Sequence, residues 1–341
     1  MSSDQAVDLD RWRESALALQ SGVSQAVIGQ PRAIRLTTLA LFAGGHVLLE
    51  GNVGVGKTTL LRAFARAVGG GFERIEGTVD LMPSDLVYHA YIDADGRPRV
   101  EPGPLLHHGE GLAVFFFNEI NRARPQVQAL LLRVMAERSV RAFNRDTALP
   151  HVFVFADRNR VEREETFELA AAARDRFMIE VAIDAPTDDD LRWQLVIEPR
   201  FHDTDRLLQA VPHGLLDFRA LQPCAEAIQR SVRASDALRR YALALWDALA
   251  RPAAHGVDLG TVDVERVLLA GASPRGFAML VRMARVRAWL DGRDFLAPED
   301  LRDPWHEVMA HRLALDPVFE LRRAELVPRL LSQVLDRVAA P

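Results

Sequence analysis

Gly51-Asn52-Val53-Gly54-Val55-Gly56-Lys57-Thr58 is the stretch that decides how this chain folds. It satisfies the pattern GxxxxGK[ST] at every fixed position, and each position has a physical reason. Glycines let the backbone curl until successive N–H groups point inward, which makes a cradle for phosphate oxygens. A helix starting there adds its positive end. Lys57 sets an ammonium against the outer phosphates of a nucleotide, and the Thr58 hydroxyl is a direct ligand for Mg²⁺. The nine residues from Gly51 to Thr59 are therefore the expected binding loop for ATP with Mg²⁺. Lys57 is the only lysine among 42 lysines and arginines. A mobile point charge is what the planar arginine fork serves poorly.

Outward from the loop, short apolar runs alternate with helical periodicity. Residues 47–50 read as a strand entering the loop and 58–68 as the helix leaving it. Residues 113–117, 152–156 and 178–183 are further strand candidates, with a helix over 125–137. The runs could be pieces of buried helix, but their β-branched and aromatic content favours strands. Strands interleaved with helices predict an α/β fold with a parallel sheet covered on both faces. From about residue 215 helical spacing takes over, at 237–250, 262–269, 274–290, 298–313 and 324–338. Ser273 before Pro274 reads as a helix cap, and Thr187 as the cap of Asp188-Asp189-Asp190. The charged segment 198–206 is the expected hinge. The predicted layout is an α/β core over 1–200 and an all-α lid over 201–341. Residues 88–100 read as a hairpin around Asp95-Gly96.

Composition narrows the class. The 341 residues are 49% hydrophobic and 26% charged, ordinary globular values. A net charge of −5 lacks the basic excess of a dedicated nucleic-acid binder, so nucleic acid is a disfavoured partner. No run approaches the roughly 20 apolar residues of a membrane span, and the charged N-terminus has no apolar signal core. The lone cysteine, Cys224, excludes an internal disulfide framework and fits a cytoplasmic protein. With no basic group beside it in sequence, it reads as an inert, partly buried thiol.

Binding alone does not give hydrolysis, which needs a base for water. The strand candidate 113–117 ends in Asn118-Glu119, and a glutamate at the C-terminal edge of a parallel strand is well placed to polarise water. The alternative is that Glu119 only starts the next helix. Glu119-Ile120-Asn121-Arg122-Ala123 resembles the Walker B stretch of the MoxR family of AAA+ ATPases, usually written DEINRA. The segments 74–86 and 102–104 are similar to those that precede it. Val27-Ile28-Gly29-Gln30 resembles the family's entry motif, which implies that Ile28 and Gly29 lie beside the adenine. Ala156-Asp157-Arg158-Asn159 resembles its ATQN strand end, making Asn159 the water-orienting sensor 1. Asp175-Arg176-Phe177 resembles its DRF, making Arg176 an arginine finger for a neighbouring subunit. Gly271-Ala272-Ser273-Pro274-Arg275 resembles its GASPR, making Arg275 the lid's sensor 2. The matches run in order from about Val27 to Leu313.

The resemblance implies an AAA+ P-loop αβα core with a helical lid, ATP hydrolysis to ADP and phosphate, and a homo-oligomeric, hexameric ring. It also implies a von Willebrand factor A domain protein and a client protein as partners, in enzyme maturation or metal cofactor insertion. The 88–100 hairpin stands where family members carry an insertion facing the pore; contact with a client and plain surface decoration are both open.

Departures from the pattern matter too. Asn118 stands where the family has an aspartate that holds Mg²⁺ through water; asparagine keeps an acceptor and loses the charge, which implies weaker Mg²⁺ organisation and slow turnover. Val53 stands where a proline is common, and the segment 166–174 lacks the family's prolines. An isolated arginine in so arginine-rich a chain is ordinarily a solvated surface group; the motif context is what singles out Arg176 and Arg275.

Two other patterns carry less. His306 and His311 look like a zinc helix but stand five residues apart, about 140° around a helix, and cannot share a metal. His107-His108 reads as a loop-packing pair rather than a metal site. Three functions remain in view: a remodelling ATPase, an ATP-gated scaffold that scarcely hydrolyses because of Asn118, and a DNA-handling motor.

Overall fold

The computed structural model describes residues 7–159 and 167–341, which places Thr166, at the start of the 166–174 segment, outside the described residues. The chain divides into two compact units: Asp10–Phe177 with Val181–Gln222, and Pro223–Pro341 with residues 7–9 and Met178–Glu180 of one strand.

The first unit is built on five strands: β1 (His46–Glu50), β2 (Gly71–Glu76), β3 (Leu112–Asn118), β4 (Phe153–Arg158) and β5 (Phe177–Ala182). Their order across the sheet is β2-β3-β4-β1-β5. The β2–β3, β3–β4 and β4–β1 pairs are parallel. All seven residues of β3 are buried, as expected for a central strand covered on both faces. Phe115, Phe116 and Phe117 are each fully inside. Helices α1 (Leu9–Ala26), α2 (Pro31–Phe42), α3 (Lys57–Val68) and α4 (Pro125–Glu137) belong to the same unit. The hairpin forms as expected, pairing Tyr88–Ile92 with Pro98–Pro102.

Five sequence expectations differ from the structure. The cap at residue 187 moves to Asp188, whose carboxylate accepts the Leu191 N–H at 2.9 Å at the start of α5 (Asp189–Ile197). A carboxylate is favoured there by the helix dipole. The segment 198–206 is no bare hinge: a 3₁₀ turn at Pro199–His202 leads into α6 (Thr204–Gln209), which buries Leu207 and Leu208. Arg62 of α3 pairs with Asp205 at 2.7 Å, and Arg66 donates to the Val211 carbonyl at 2.7 Å. The backbone of Gly214 and Leu216 then bonds to that of Arg66 and Ala67. Residues 201–222, expected with the lid, are thus laced to α3, and the unit boundary falls after Gln222.

In the second unit, the expected helix 262–269 shortens to Val264–Val267. Leu268–Ala270 instead pairs antiparallel with Ala314–Leu315, a partner too distant in sequence for local periodicity to reveal. The expected helix 298–313 breaks into Pro298–Arg302, Trp305–Met309 and a 3₁₀ turn, with Pro304, which has no N–H to donate, between the first two. The long helices α7 (Asp236–Ala250), α8 (Pro274–Leu290) and α9 (Arg323–Arg337) stand as expected. Ser273 caps α8 by accepting the Gly276 N–H at 3.2 Å. Asp300, wholly buried, is held by Arg287 and Arg293, each at 2.7 Å. Among the described residues no helix is long and apolar enough to cross a membrane.

Phe115 is a fully buried member of the core cluster that includes β3. Phe115→Ala is expected to lower unfolding free energy by about 3–5 kcal/mol in chemical denaturation. A loss below about 1 kcal/mol would mean that this strand does not anchor the core.

Candidate nucleotide site

The C-terminal ends of β1, β3 and β4 meet at one edge of the sheet, where ligands settle in open parallel α/β folds. A cleft of about 500 Å³ opens there. One end is apolar, walled by Val27, Ile28, Pro186, Leu195, Phe201 and Leu207; the other is the glycine loop with Asn118, Glu119, Asp157 and Asn159.

The loop holds its shape for two stated reasons. A Cβ at Gly51 would lie 2.2 Å from the Ile183 carbonyl oxygen, so only glycine lets the chain pass. Gly56, the residue before α3, has φ of 92°, a left-handed conformation that other residues adopt at a cost. From there the first N–H groups of α3 are without helical partners, and Lys57 and Thr58 open the helix. The Lys57 side chain is buried, and its ammonium donates to the carbonyls of Gly51 (2.7 Å) and Asn52 (2.9 Å) and to Asn159 Oδ1 (2.9 Å). Asn52, Val53, Gly54, Val55 and Thr59 line the cleft with them, and Val53 is exposed at the loop tip.

Asn159 bridges two side chains. Its oxygen accepts from Lys57, and its Nδ2 donates to Glu119 Oε1 at 3.0 Å. The other Glu119 oxygen is held by Arg122 at 3.2 Å. Glu119 itself has φ of 52° and ψ of 50°, so it turns the chain sharply out of β3 and into a 3₁₀ turn, Ile120–Arg122. That turn brings its carboxylate back across the strand ends toward Asn159, rather than onward as the start of a helix.

Thr58 Oγ1 donates to Asn118 Oδ1 at 3.5 Å, and Asn118 Nδ2 donates to Glu76 of the neighbouring strand. Asp157 is 2% exposed and accepts the Glu119 backbone N–H at 2.6 Å. Burial pushes its carboxyl up to about 6; the Glu119 amide and the nearby Lys57 pull the other way. The donor set at this end is all oxygen, with no sulfur or ring nitrogen, and such hard ligands fit Mg²⁺. Thr58 would hold the ion directly and Asn118 through water.

The sequence reading overlooked Asp157, although an acid closing an apolar run was visible there. It also overlooked the apolar wall from Pro186 to Leu207, because Phe201 and Leu207 belong to the segment read as a hinge. Ile28 lines the cleft; Gly29 stands behind it, where a Cβ would meet the Pro186 ring at 2.6 Å. Arg176 is half-buried, donates to the Ala172 carbonyl at 2.9 Å and does not line the cleft. Arg275 lies in the second unit, exposed on the first turn of α8.

Elsewhere, Glu73 Oε1 meets His107 Nδ1 at 2.7 Å and His108 Nε2 at 3.1 Å, and the two rings sit 4.7 Å apart. His306 is exposed and His311 buried beyond the end of its helix. Cys224 is a free, buried thiol pushed up to about 12 by that burial.

Comparison with known proteins agrees with this geometry. The family described as the ATPase family associated with various cellular activities (AAA) matches residues 46–179, and the AAA lid domain matches 263–330. The chain is 60% identical over 333 residues to "Protein MoxR" of Methylorubrum extorquens, covering 98% of this chain and 97% of that one. It is 32% identical to "Chaperone MoxR1" of Mycobacterium tuberculosis, covering 94% of this chain and 80% of that one. A solved structure from Cytophaga hutchinsonii superposes with a TM-score of 0.82 at 25% identity, covering 98% of this chain and 97% of that chain. With motifs, sheet and lid in accord with these likenesses, the chain belongs to the MoxR family of AAA+ ATPases.

Proposed function

We propose that this chain is a Mg²⁺-dependent ATPase that works as a ring of identical subunits, a hexamer, and uses turnover to remodel or activate a partner protein. The observation that carries the catalytic half is the Lys57–Asn159–Glu119 chain of hydrogen bonds. It couples the group that grips phosphate to the group that would take a proton from water, so both are held in one geometry. In this reading the loop amides and Lys57 bind the phosphate tail, and the apolar wall around Ile28 takes the base. Glu119 accepts the proton of the attacking water, and Asn159 orients that water. Mg²⁺, held by Thr58 and Asn118, would neutralise phosphate charge. Arg176, outside the cleft of its own subunit, serves a neighbour's site as the arginine finger, and Arg275 serves as sensor 2.

The remodelling half rests on likeness to a chaperone, on the family resemblance to proteins that act with von Willebrand factor A domain partners, and on the exposed hairpin, where Tyr91, Ile92 and Val100 face solvent. A cytoplasmic location rests on the lone cysteine, which leaves no internal disulfide to form. A second reading, an ATP-gated scaffold with little turnover, is favoured by one observation: Asn118 brings no charge to the cation end.

Three measurements check these roles. Lys57→Ala is expected to weaken ATP binding by about 100-fold or more in calorimetry; retained affinity would contradict the phosphate assignment. Arg176→Ala is expected to bind ATP normally and to lose about 10³-fold in phosphate release. Mixing it with Glu119→Gln subunits should restore part of the activity, because some interfaces then pair an intact Arg176 with an intact Glu119. No rescue in mixed rings counts against a shared site. Substantial wild-type phosphate release that Asn118→Asp does not raise would discard the scaffold; negligible release that the substitution switches on would establish it.

A further inference from the structure

We propose that Asp157 carries the negative charge of the cation end of the cleft, one strand over from the neutral Asn118, and that the site is therefore complete for Mg²⁺. This rests on the nucleotide-hydrolysing reading above.

Register puts the two residues side by side. Phe117 of β3 pairs with Ala156 of β4 in a parallel ladder, so Asn118 and Asp157 are the next residues on adjacent strands, at the edge where the loop and Thr58 stand. Both are buried, and both line the cleft. One oxygen of Asp157 accepts the Glu119 amide; the other has no hydrogen-bond partner among the described residues.

A carboxylate this deep is unfavourable unless opposite charge or several donors attend it. Side chains supply little of either: among the described residues no arginine, lysine or histidine is ion-paired with Asp157, and Lys57 acts on it only through space. The buried ammonium nearby, Lys57, is directed to two loop carbonyls and to Asn159. Glu119 and Glu76, the other acids near it, add negative charge. A buried acid flanked by further acids and by the oxygens of Thr58 and Asn118 is the arrangement a hard divalent cation satisfies. Asn118 is directed by its own amide, which donates to Glu76 and leaves its carbonyl oxygen toward Thr58. In such a pair the neutral residue offers an acceptor, and the acid supplies the charge.

Asp157 also anchors Glu119, and asparagine separates the two roles. Asp157→Asn keeps an oxygen to accept the Glu119 N–H and removes only the charge. A purely structural cap would survive it; a charge carrier would not.

The experiment uses the full chain with a fluorescent ATP analogue, titrated with Mg²⁺ or with Mn²⁺ read by electron paramagnetic resonance, beside phosphate release and thermal melting. Wild type that binds nucleotide without any effect of Mg²⁺ would defeat the underlying reading, whatever the variants do. Given a Mg²⁺ effect in wild type, Asp157→Asn is expected to bind metal-free nucleotide at least as tightly as wild type, with one fewer negative charge beside the phosphates, and to need about 10-fold or more Mg²⁺ for the bound complex. Its kcat is expected to fall further than its KM changes. The exchange Asn118→Asp with Asp157→Asn restores the charge one strand away and is expected to return the Mg²⁺ requirement to within about threefold of wild type. An unchanged requirement in Asp157→Asn, or an exchange that fails to restore it, overturns the proposal. Where the single variant is too unstable to assay, the charge-conserving exchange decides alone.

Discussion

The buried ammonium of Lys57 is the interaction on which the rest of the site depends. Its hydrogen bonds to Gly51 and Asn52 hold the two ends of the glycine loop at a fixed distance, and its bond to Asn159 ties that loop to the end of the neighbouring strand, β4. A single mobile point charge thus organises a loop, a helix start and a strand end. Arginine could not occupy the place as well, because its donors are fixed in a plane. The chain uses arginine for its other basic side chains and keeps its one lysine here.

Charge at the strand ends follows from that clamp. Glu119, Asp157 and Glu76 approach the same corner; Arg122 pairs with Glu119 and Arg74 with Glu76, while the only opposing charge that Asp157 feels among the described residues is the nearby Lys57. Repulsion of this kind is tolerated where a ligand cation is part of the working state. The left-handed conformation of Glu119 belongs to the same design: an unusual backbone turn, secured by the Asp157 carboxylate, returns the base to Asn159 instead of sending it into a helix. Asn118 does not stand alone as a lost charge, and its effect depends on the acid beside it.

The apolar end is assembled from residues far apart in sequence. Val27 and Ile28 arrive from the start of the chain, and Phe201 and Leu207 from its middle. α3 secures the second of these parts: its Arg62 and Arg66 draw in the segment that follows β5. The helix proposed to hold phosphate at its first turn thus also fixes, along its length, part of the wall proposed for the base.

Sequence by itself determined the loop, the strand and helix identities of the core, and Lys57, Thr58, Asn118, Glu119 and Asn159 as candidates, which the fold brings to one cleft. Those signals are local: glycine spacing, apolar runs ended by polar pairs, and helix caps all act within a few residues. The boundary after Gln222, the short strand Leu268–Ala270, the apolar wall and the burial of Asp157 against Glu119 were decided only by tertiary structure. Each depends on a partner tens of residues or more away: Asp205 on Arg62, Leu268 on Leu315, Asp157 on the amide of Glu119. An acid at the end of an apolar run looks the same in sequence whether it meets water or a neighbour's strand end. Burial and register, which exist only in the folded chain, make the difference.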